Sequence, residues 1–247
     1  MHSTGKTMKL DDVKKLQQKK YREEFGHFLV EGEHLVLELQ KAAALIPELK
    51  NSELYVTEEH EHWQTDFRKN LITEKQMAQI SDTKTPQGIL AVVPFLPTST
   101  NATKTERAVY LHEVQDPGNL GTILRTLAWF GNFRLLLSPN SVDPYNPKVV
   151  RSSMGAIFHV AMELDVPLGS LKTRFNKIAC LDMQGKTLSD TSLKEYDCYL
   201  FGNEARGVPR ENLIELNAQA FTIQGCGAIE SLNLASAVNM CAYELSR

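Results

Sequence analysis

The chain reads as an α/β protein in two parts, and three observations predict this. Short apolar runs of strand length recur through the 247 residues, separated by segments with helical spacing; that pattern marks strands covered by helices on both faces. One stretch rich in Pro, Ser, Thr and Asn, Pro94-Phe95-Leu96-Pro97-Thr98-Ser99-Thr100-Asn101-Ala102-Thr103, has no periodicity and reads as a linker. Three polar motifs, two of them glycine-bearing, fall at or near the ends of expected strands, all in the second part. The expected layout is a small α/β domain over 1–94, a linker over 95–105, and an α/β domain with a mostly parallel sheet over 106–247.

In the first domain the polar, Lys-rich segment 10–24 reads as one helix, followed by a short strand at Phe28-Leu29-Val30. Leu35, Leu39 and Ala42 have helical spacing, so 33–45 reads as a helix that must stop before Pro47. Leu54-Tyr55-Val56 reads as a strand, and Thr57 with Glu58 and Glu59 as a helix start. A short helix over 74–80 and a buried strand at Ile89-Leu90-Ala91-Val92-Val93, ended by Pro94, complete the domain.

In the second domain apolar strands are expected at 108–111, 134–137, 158–161, 178–181, 198–201 and 220–223, with helical patterns between several of them and a last helix after Ser231. Ligand sites of such sheets lie outside the carboxyl ends of the strands.

Composition narrows the function. An apolar fraction of 42% with 23% charge is that of a globular chain rather than a disordered one. No apolar run approaches the roughly 20 residues that span a bilayer, so no membrane partner is expected. The polar N-terminus, with Asp11 and Asp12 among its lysines, resembles neither a secretory signal nor a transit peptide. Cys180, Cys198, Cys226 and Cys241 lack CxxC spacing and read as reduced thiols of a cytoplasmic protein, with no metal site. A net charge of -3 argues against non-specific coating of nucleic acid. A local patch remains open: Lys6, Lys9, Lys14, Lys15, Lys19, Lys20 and Arg22 face only Asp11 and Asp12, a surplus of five (7 minus 2). It reads equally as a solvated helix face or as a phosphate-contacting arm.

The first motif is Asp116-Pro117-Gly118-Asn119-Leu120-Gly121-Thr122-Ile123-Leu124-Arg125. Asn119 suits an N-cap, and Leu120, Ile123, Leu124 and Leu127 form a buried stripe that leaves Arg125 on nearly the opposite side. The second, Phe201-Gly202-Asn203-Glu204-Ala205-Arg206-Gly207, sets two glycines around Glu204 and lacks the dinucleotide-binding GxGxxG spacing. In the third, Glu230-Ser231-Leu232-Asn233-Leu234-Ala235, Ser231 suits the N-cap of the last helix. His60-Glu61-His62 has the wrong helical spacing for two ligands on one face, and His112 and His159 sit in apolar strands. Ser152 and Ser153 have no His or Asp at motif distance, so a hydrolase triad has no support.

Taken together and in order, Gln115 through Arg125, Arg151-Ser152-Ser153-Met154-Gly155-Ala156, the glycine loop at 201–207 and Glu230-Ser231-Leu232-Asn233 resemble the SpoU (TrmH-like) RNA 2'-O-ribose methyltransferases of the SPOUT superfamily over about 107–247. The first domain, with Phe28-Leu29-Val30-Glu31-Gly32-Glu33, is similar to the small ribosomal-protein-L30e-like domain that often precedes this catalytic domain and binds the RNA substrate. The resemblance implies S-adenosylmethionine as cofactor, a deep trefoil knot, and a homodimer that completes each active site across its interface. It implies cofactor binding at Gly202, Ile223, Leu232, Leu200 and Asn233, and catalytic positions at Arg125, Asn119, Glu204, Ser231 and Asn233. The implied substrate is RNA, ribosomal RNA first and transfer RNA second. A non-catalytic RNA-binding module and a nucleotide-dependent oxidoreductase are the competing readings, and the second lacks its glycine fingerprint.

Overall fold

The computed structural model describes residues 7–97, 106–229 and 231–247; Lys6, most of the expected linker and Glu230 lie outside them. The chain divides into two compact units, one formed by residues up to Pro97 together with Asp143–Phe158, the other by Thr98–Val142 and His159–Arg247.

The first unit is built on a four-stranded sheet. Its strands are β1 (His27–Glu31), β2 (Glu53–Val56), β3 (Arg68–Leu71) and β4 (Ile89–Pro94), in the order β1-β4-β2-β3. β4 pairs antiparallel with β1 and β2, while β2 and β3 are parallel. Leu29, Tyr55, Leu90 and Val92 form one buried cluster with Val13 and Leu16, and with Met77 and Ile80 of α4 (Glu74–Ile80). Helix α3 (Glu33–Ala43) buries Leu35, Val36 and Leu39. Covering both faces explains why β1, β2 and β4 read as unbroken apolar runs.

Three expectations for this unit need correction. The helix over 10–24 is two helices, α1 (Leu10–Lys15) and α2 (Lys19–Phe25), broken at Gln18, whose backbone is extended. The break turns Arg22 inward, where it is 2% exposed, donates to Leu16 O at 2.8 Å and pairs with Asp143 through Nε at 2.9 Å. Arg22 therefore does not belong to a solvent-facing basic patch. Thr57 opens only a 3-10 turn, Glu58–His60. β3 was not expected because it is a charged strand with exposed side chains and no alternation.

Asp143–Phe158 completes this unit. Its helix α6 (Pro147–Ser153) follows Tyr145, which stacks on Phe95 (ring centroids 4.4 Å apart) and lies 4.8 Å from Phe28. Arg151 pairs with Asp82 at 2.9 Å.

The second unit carries a six-stranded sheet in which every pairing is parallel. Its strands are β5 (Arg107–Leu111), β6 (Phe133–Leu137), β7 (Ala161–Glu163), β8 (Ile178–Thr187), β9 (Cys198–Phe201) and β10 (Gln219–Thr222), ordered β10-β8-β9-β5-β6-β7. Ala108, Tyr110, Cys198 and Leu200 join the core on one face. Helices α5 (Pro117–Phe130) and α9 (Leu234–Ser246) pack against each other and bury Leu120, Ile123, Leu124, Leu127, Val238, Cys241 and Leu245. The strand expected at 158–161 begins only at Ala161, because Ala156–Phe158 forms a buried 3-10 turn. From β5 the chain turns toward β6 and β7 and returns through α7 (Leu171–Arg174) to β8; from β9 it turns through α8 (Arg210–Glu215) toward β10. β5 and β9 are neighbours, so the strand order reverses between them, and a crevice opens at their carboxyl ends.

Candidate active site

The first motif leaves β5 and enters α5 at that crevice. The cap of α5 is Asp116, not Asn119: Asp116 Oδ1 accepts from Asn119 N at 2.7 Å, and Pro117 takes the first helical position. Asn119 therefore keeps its carboxamide free for other partners. Its Nδ2 donates to Glu204 Oε1 of the second motif at 3.3 Å, and its Oδ1 accepts from Asn233 Nδ2 of the third at 3.0 Å. Asn233 also supplies the N-cap of α9, accepting from Ser236 N, a role that sequence reading gave to Ser231.

The second motif is a closed loop. Asn203 and Gly207 exchange two main-chain hydrogen bonds, 3.1 and 2.8 Å. At Gly202 a side chain has no room, since a Cβ would stand 2.4 Å from the Gly207 carbonyl carbon. The loop rests on the residue pair after β5: Asn203 Nδ2 donates to Glu113 O, and Arg206 pairs with the Glu113 carboxylate, each at 2.8 Å.

The three motifs meet around one cavity of about 470 Å³ lined by Gln115, Asp116, Asn119, Asn203, Glu204, Ala205, Ser231, Leu232, Asn233 and Leu234. Five residues expected from sequence are among them: Asn119, Glu204, Ser231, Leu232 and Asn233. The other four expected positions lie outside that lining. Leu200 is fully buried in the sheet core, Gly202 sits half-buried at the start of the loop, and Ile223 directly follows β10. Arg125 lies six residues into α5 from Asn119, about 9 Å along the axis. It is exposed and has no hydrogen bond or ion pair among the described residues. Sequence reading missed Asn203 and Asp116. Pro117 was the available signal for Asp116, since proline favours the first helical position and so marks the residue before it as the cap.

Burial sets the chemistry of nearby titratable groups. It lowers the His112 pKa below its ordinary 6.5, which favours the neutral ring. It pushes the thiols of Cys180 and Cys241 up to about 12, so they stay protonated and inert, while Cys226 is exposed just beyond Ile223. Among the described residues no group of three or more His, Cys, Asp or Glu is placed to hold a metal ion, and no helix is long and apolar enough to cross a membrane.

Fold and site thus define a doubly wound α/β protein with a carboxamide-lined ligand cavity at its switch point. Comparison with known proteins makes this specific. Residues 106–243 match the model of the SpoU rRNA Methylase family, and residues 8–91 match that of the MRM3-like substrate binding domain. The chain belongs to the SpoU rRNA methylase family. It is 32% identical to the 23S rRNA (guanosine(2553)-2'-O)-methyltransferase RlmP of Bacillus subtilis over 98% of this chain and 97% of that protein. Its fold matches a TrmH-family structure from Porphyromonas gingivalis with a TM-score of 0.82, at 29% identity over 98% of both chains. It matches an AdoMet-bound rRNA methyltransferase from Sinorhizobium meliloti with a TM-score of 0.82, at 25% identity over 96% of this chain and 93% of that one.

Proposed function

We propose that the chain is an S-adenosylmethionine-dependent methyltransferase that modifies a ribose 2'-hydroxyl in ribosomal RNA. The observation that carries this reading is the cavity where Asn119, Glu204 and Asn233, from three separate motifs, are hydrogen-bonded in series. The residues fit such a cofactor. The cavity has the size of a small-molecule site, and Gly202 leaves the main chain bare where a Cβ would close the loop entrance. Gly202, Ile223, Leu232, Leu200 and Asn233 would hold the cofactor, the first three through their backbones. When bound, the cofactor supplies an activated methyl together with its own leaving group.

The chain's own part is then binding, alignment and charge. The role of Arg125 is a clamp: its guanidinium forks onto the phosphate beside the target ribose and offsets negative charge growing on the 2'-oxygen. The 2'-hydroxyl proton passes to a phosphate oxygen or to water. Asn119 and Glu204 orient that ribose, while Ser231 and Asn233 hold the entrance to α9.

A homodimer belongs to the same reading. Trp129 is 84% exposed four residues beyond Arg125, and Met240 and Tyr243 are exposed on α9, which packs against α5, so both helices present apolar side chains that a second copy could bury. The trefoil knot and a cytoplasmic location complete the proposal, the latter supported by four free cysteines.

The test is methyl transfer from radiolabelled S-adenosylmethionine to deproteinised ribosomal RNA and, separately, to transfer RNA, with the product mapped for 2'-O-methyl groups. Label in ribosomal RNA is expected; label in transfer RNA alone would overturn the target. No cofactor binding by calorimetry would favour a non-catalytic RNA-binding module. Arg125→Lys keeps the charge and loses the fork, so near-normal turnover in that variant would remove the clamp.

A further inference from the structure

We propose that Asn203 is the positioning residue of this site, the one that sets Glu204 against Asn119. It rests on the methyltransferase reading above only for its kinetic test. Three observations converge on it. First, Asn203 is the most buried polar residue of the loop, at 8% exposure, between half-buried Gly202 and exposed Glu204. Second, both ends of its side chain are engaged. Oδ1 accepts from Ala205 N at 3.0 Å and Arg206 N at 3.2 Å, folding the turn on which Glu204 sits, and Nδ2 donates to Glu113 O at 2.8 Å. Third, the acceptor is itself fixed. Glu113 has a left-handed backbone (φ +50°), and its amide donates to the buried hydroxyl of Ser138 at 2.7 Å.

The series Ser138–Glu113–Asn203–Glu204–Asn119 therefore runs from the end of β6, across the end of β5, into the second motif and back to the first. Only its last link, Glu204 to Asn119, lies on the cavity wall as a contact between motifs. The Arg206–Glu113 ion pair ties the same two segments, but Arg206 is 73% exposed, and solvent screening leaves such a pair little holding power. The buried carboxamide carries the restraint.

Aspartate at this position would keep the acceptor and the turn but lose the donor to Glu113 O. Alanine would lose both. A loop displaced by about 1 Å typically costs a site on the order of 100-fold in rate.

The experiment measures kcat and RNA KM for Asn203→Ala, Asn203→Asp, Glu204→Ala and the double variant Asn203→Ala/Glu204→Ala, with hydrogen–deuterium exchange of the 201–208 segment. Expected are a kcat for Asn203→Ala lower by 10- to 100-fold with KM within about threefold, a partial recovery in Asn203→Asp, and faster exchange confined to the loop. In the Glu204→Ala background the alanine at 203 should cost no further activity, because Asn203 acts through Glu204. Additive losses in the double variant, or wild-type exchange in Asn203→Ala, would overturn the proposal. Absence of methyl transfer in the wild-type protein would count against the proposed function instead, and the exchange measurement would still decide the role of Asn203.

Discussion

Replacing Gly202 by alanine probes the entrance of the site with a single carbon. The added Cβ would stand 2.4 Å from the Gly207 carbonyl carbon, 2.6 Å from Gly207 Cα and 2.7 Å from Val208 N, all main-chain atoms that no rotamer change can move. Carbon atoms are at ease from about 3.5 Å, so the loop must open by about 1 Å. The two Asn203–Gly207 main-chain bonds, at 3.1 and 2.8 Å, cannot both survive that shift. Overpacking of this kind costs about 1–3 kcal/mol, or roughly 2–12 °C of melting temperature for a chain of this size. The larger effect should be functional, because Glu204 moves with the loop: about 100-fold in turnover for a 1 Å displacement, with weakened S-adenosylmethionine binding. Calorimetry, methyl transfer and thermal melts measure the three consequences. Gly207→Ala is the comparison: its Cβ would meet nothing within 4 Å, and its cost, about 1–2 kcal/mol, comes from the left-handed backbone alone. If Gly202→Ala bound cofactor and turned over within about twofold of wild type, the close-approach argument would be wrong.

Other expectations concern stability and reactivity. Arg22→Met strands Asp143, which is only 11% exposed, and should cost about 3–5 kcal/mol in urea unfolding. Adding Asp143→Asn should return part of that loss, and no recovery would count against the pairing as its cause. Burial lowers the His112 pKa below 6.5, so the unfolded chain takes up this proton first as pH falls. The resulting stability is complete above about pH 6.5 and declines below it; His112→Gln should therefore lose less melting temperature than wild type between pH 7.5 and pH 5. Under native conditions at pH 8 a maleimide should label Cys226 alone, since burial keeps the other three thiols protonated and covered. Labelling of Cys180 at a comparable rate would contradict that.

Much of this architecture was legible because local pattern and burial agree. β5 and β9 read as unbroken apolar runs since both their faces are covered, and the stripe Leu120, Ile123, Leu124, Leu127 named the buried side of α5. The motifs marked the strand ends at which the cavity opens. What sequence could not assign was which of two good capping residues does the capping. Asp116 and Asn119 compete at one helix, Ser231 and Asn233 at the other, and the three-dimensional partners of Asn119 decide what each is for. The break at Gln18 has no local breaker; it follows from Arg22 meeting an aspartate 121 residues away. The shift of β7 to Ala161 likewise follows from 156–158 being buried as a turn in the other unit.

The grouping of Asp143–Phe158 with the N-terminal residues bears on inheritance. The chain passes from one unit to the other three times, near residues 97, 142 and 158. A gene fragment ending at Pro97 would encode the first unit without Tyr145, which stacks on Phe95, and without Asp143, the counter-ion of Arg22. The N-terminal unit is thus no transplantable cassette. A recombination event at the apparent boundary would leave an arginine uncompensated and an aromatic face bare, so this unit can be exchanged among relatives only together with a piece cut from the middle of the stretch that matches the SpoU family.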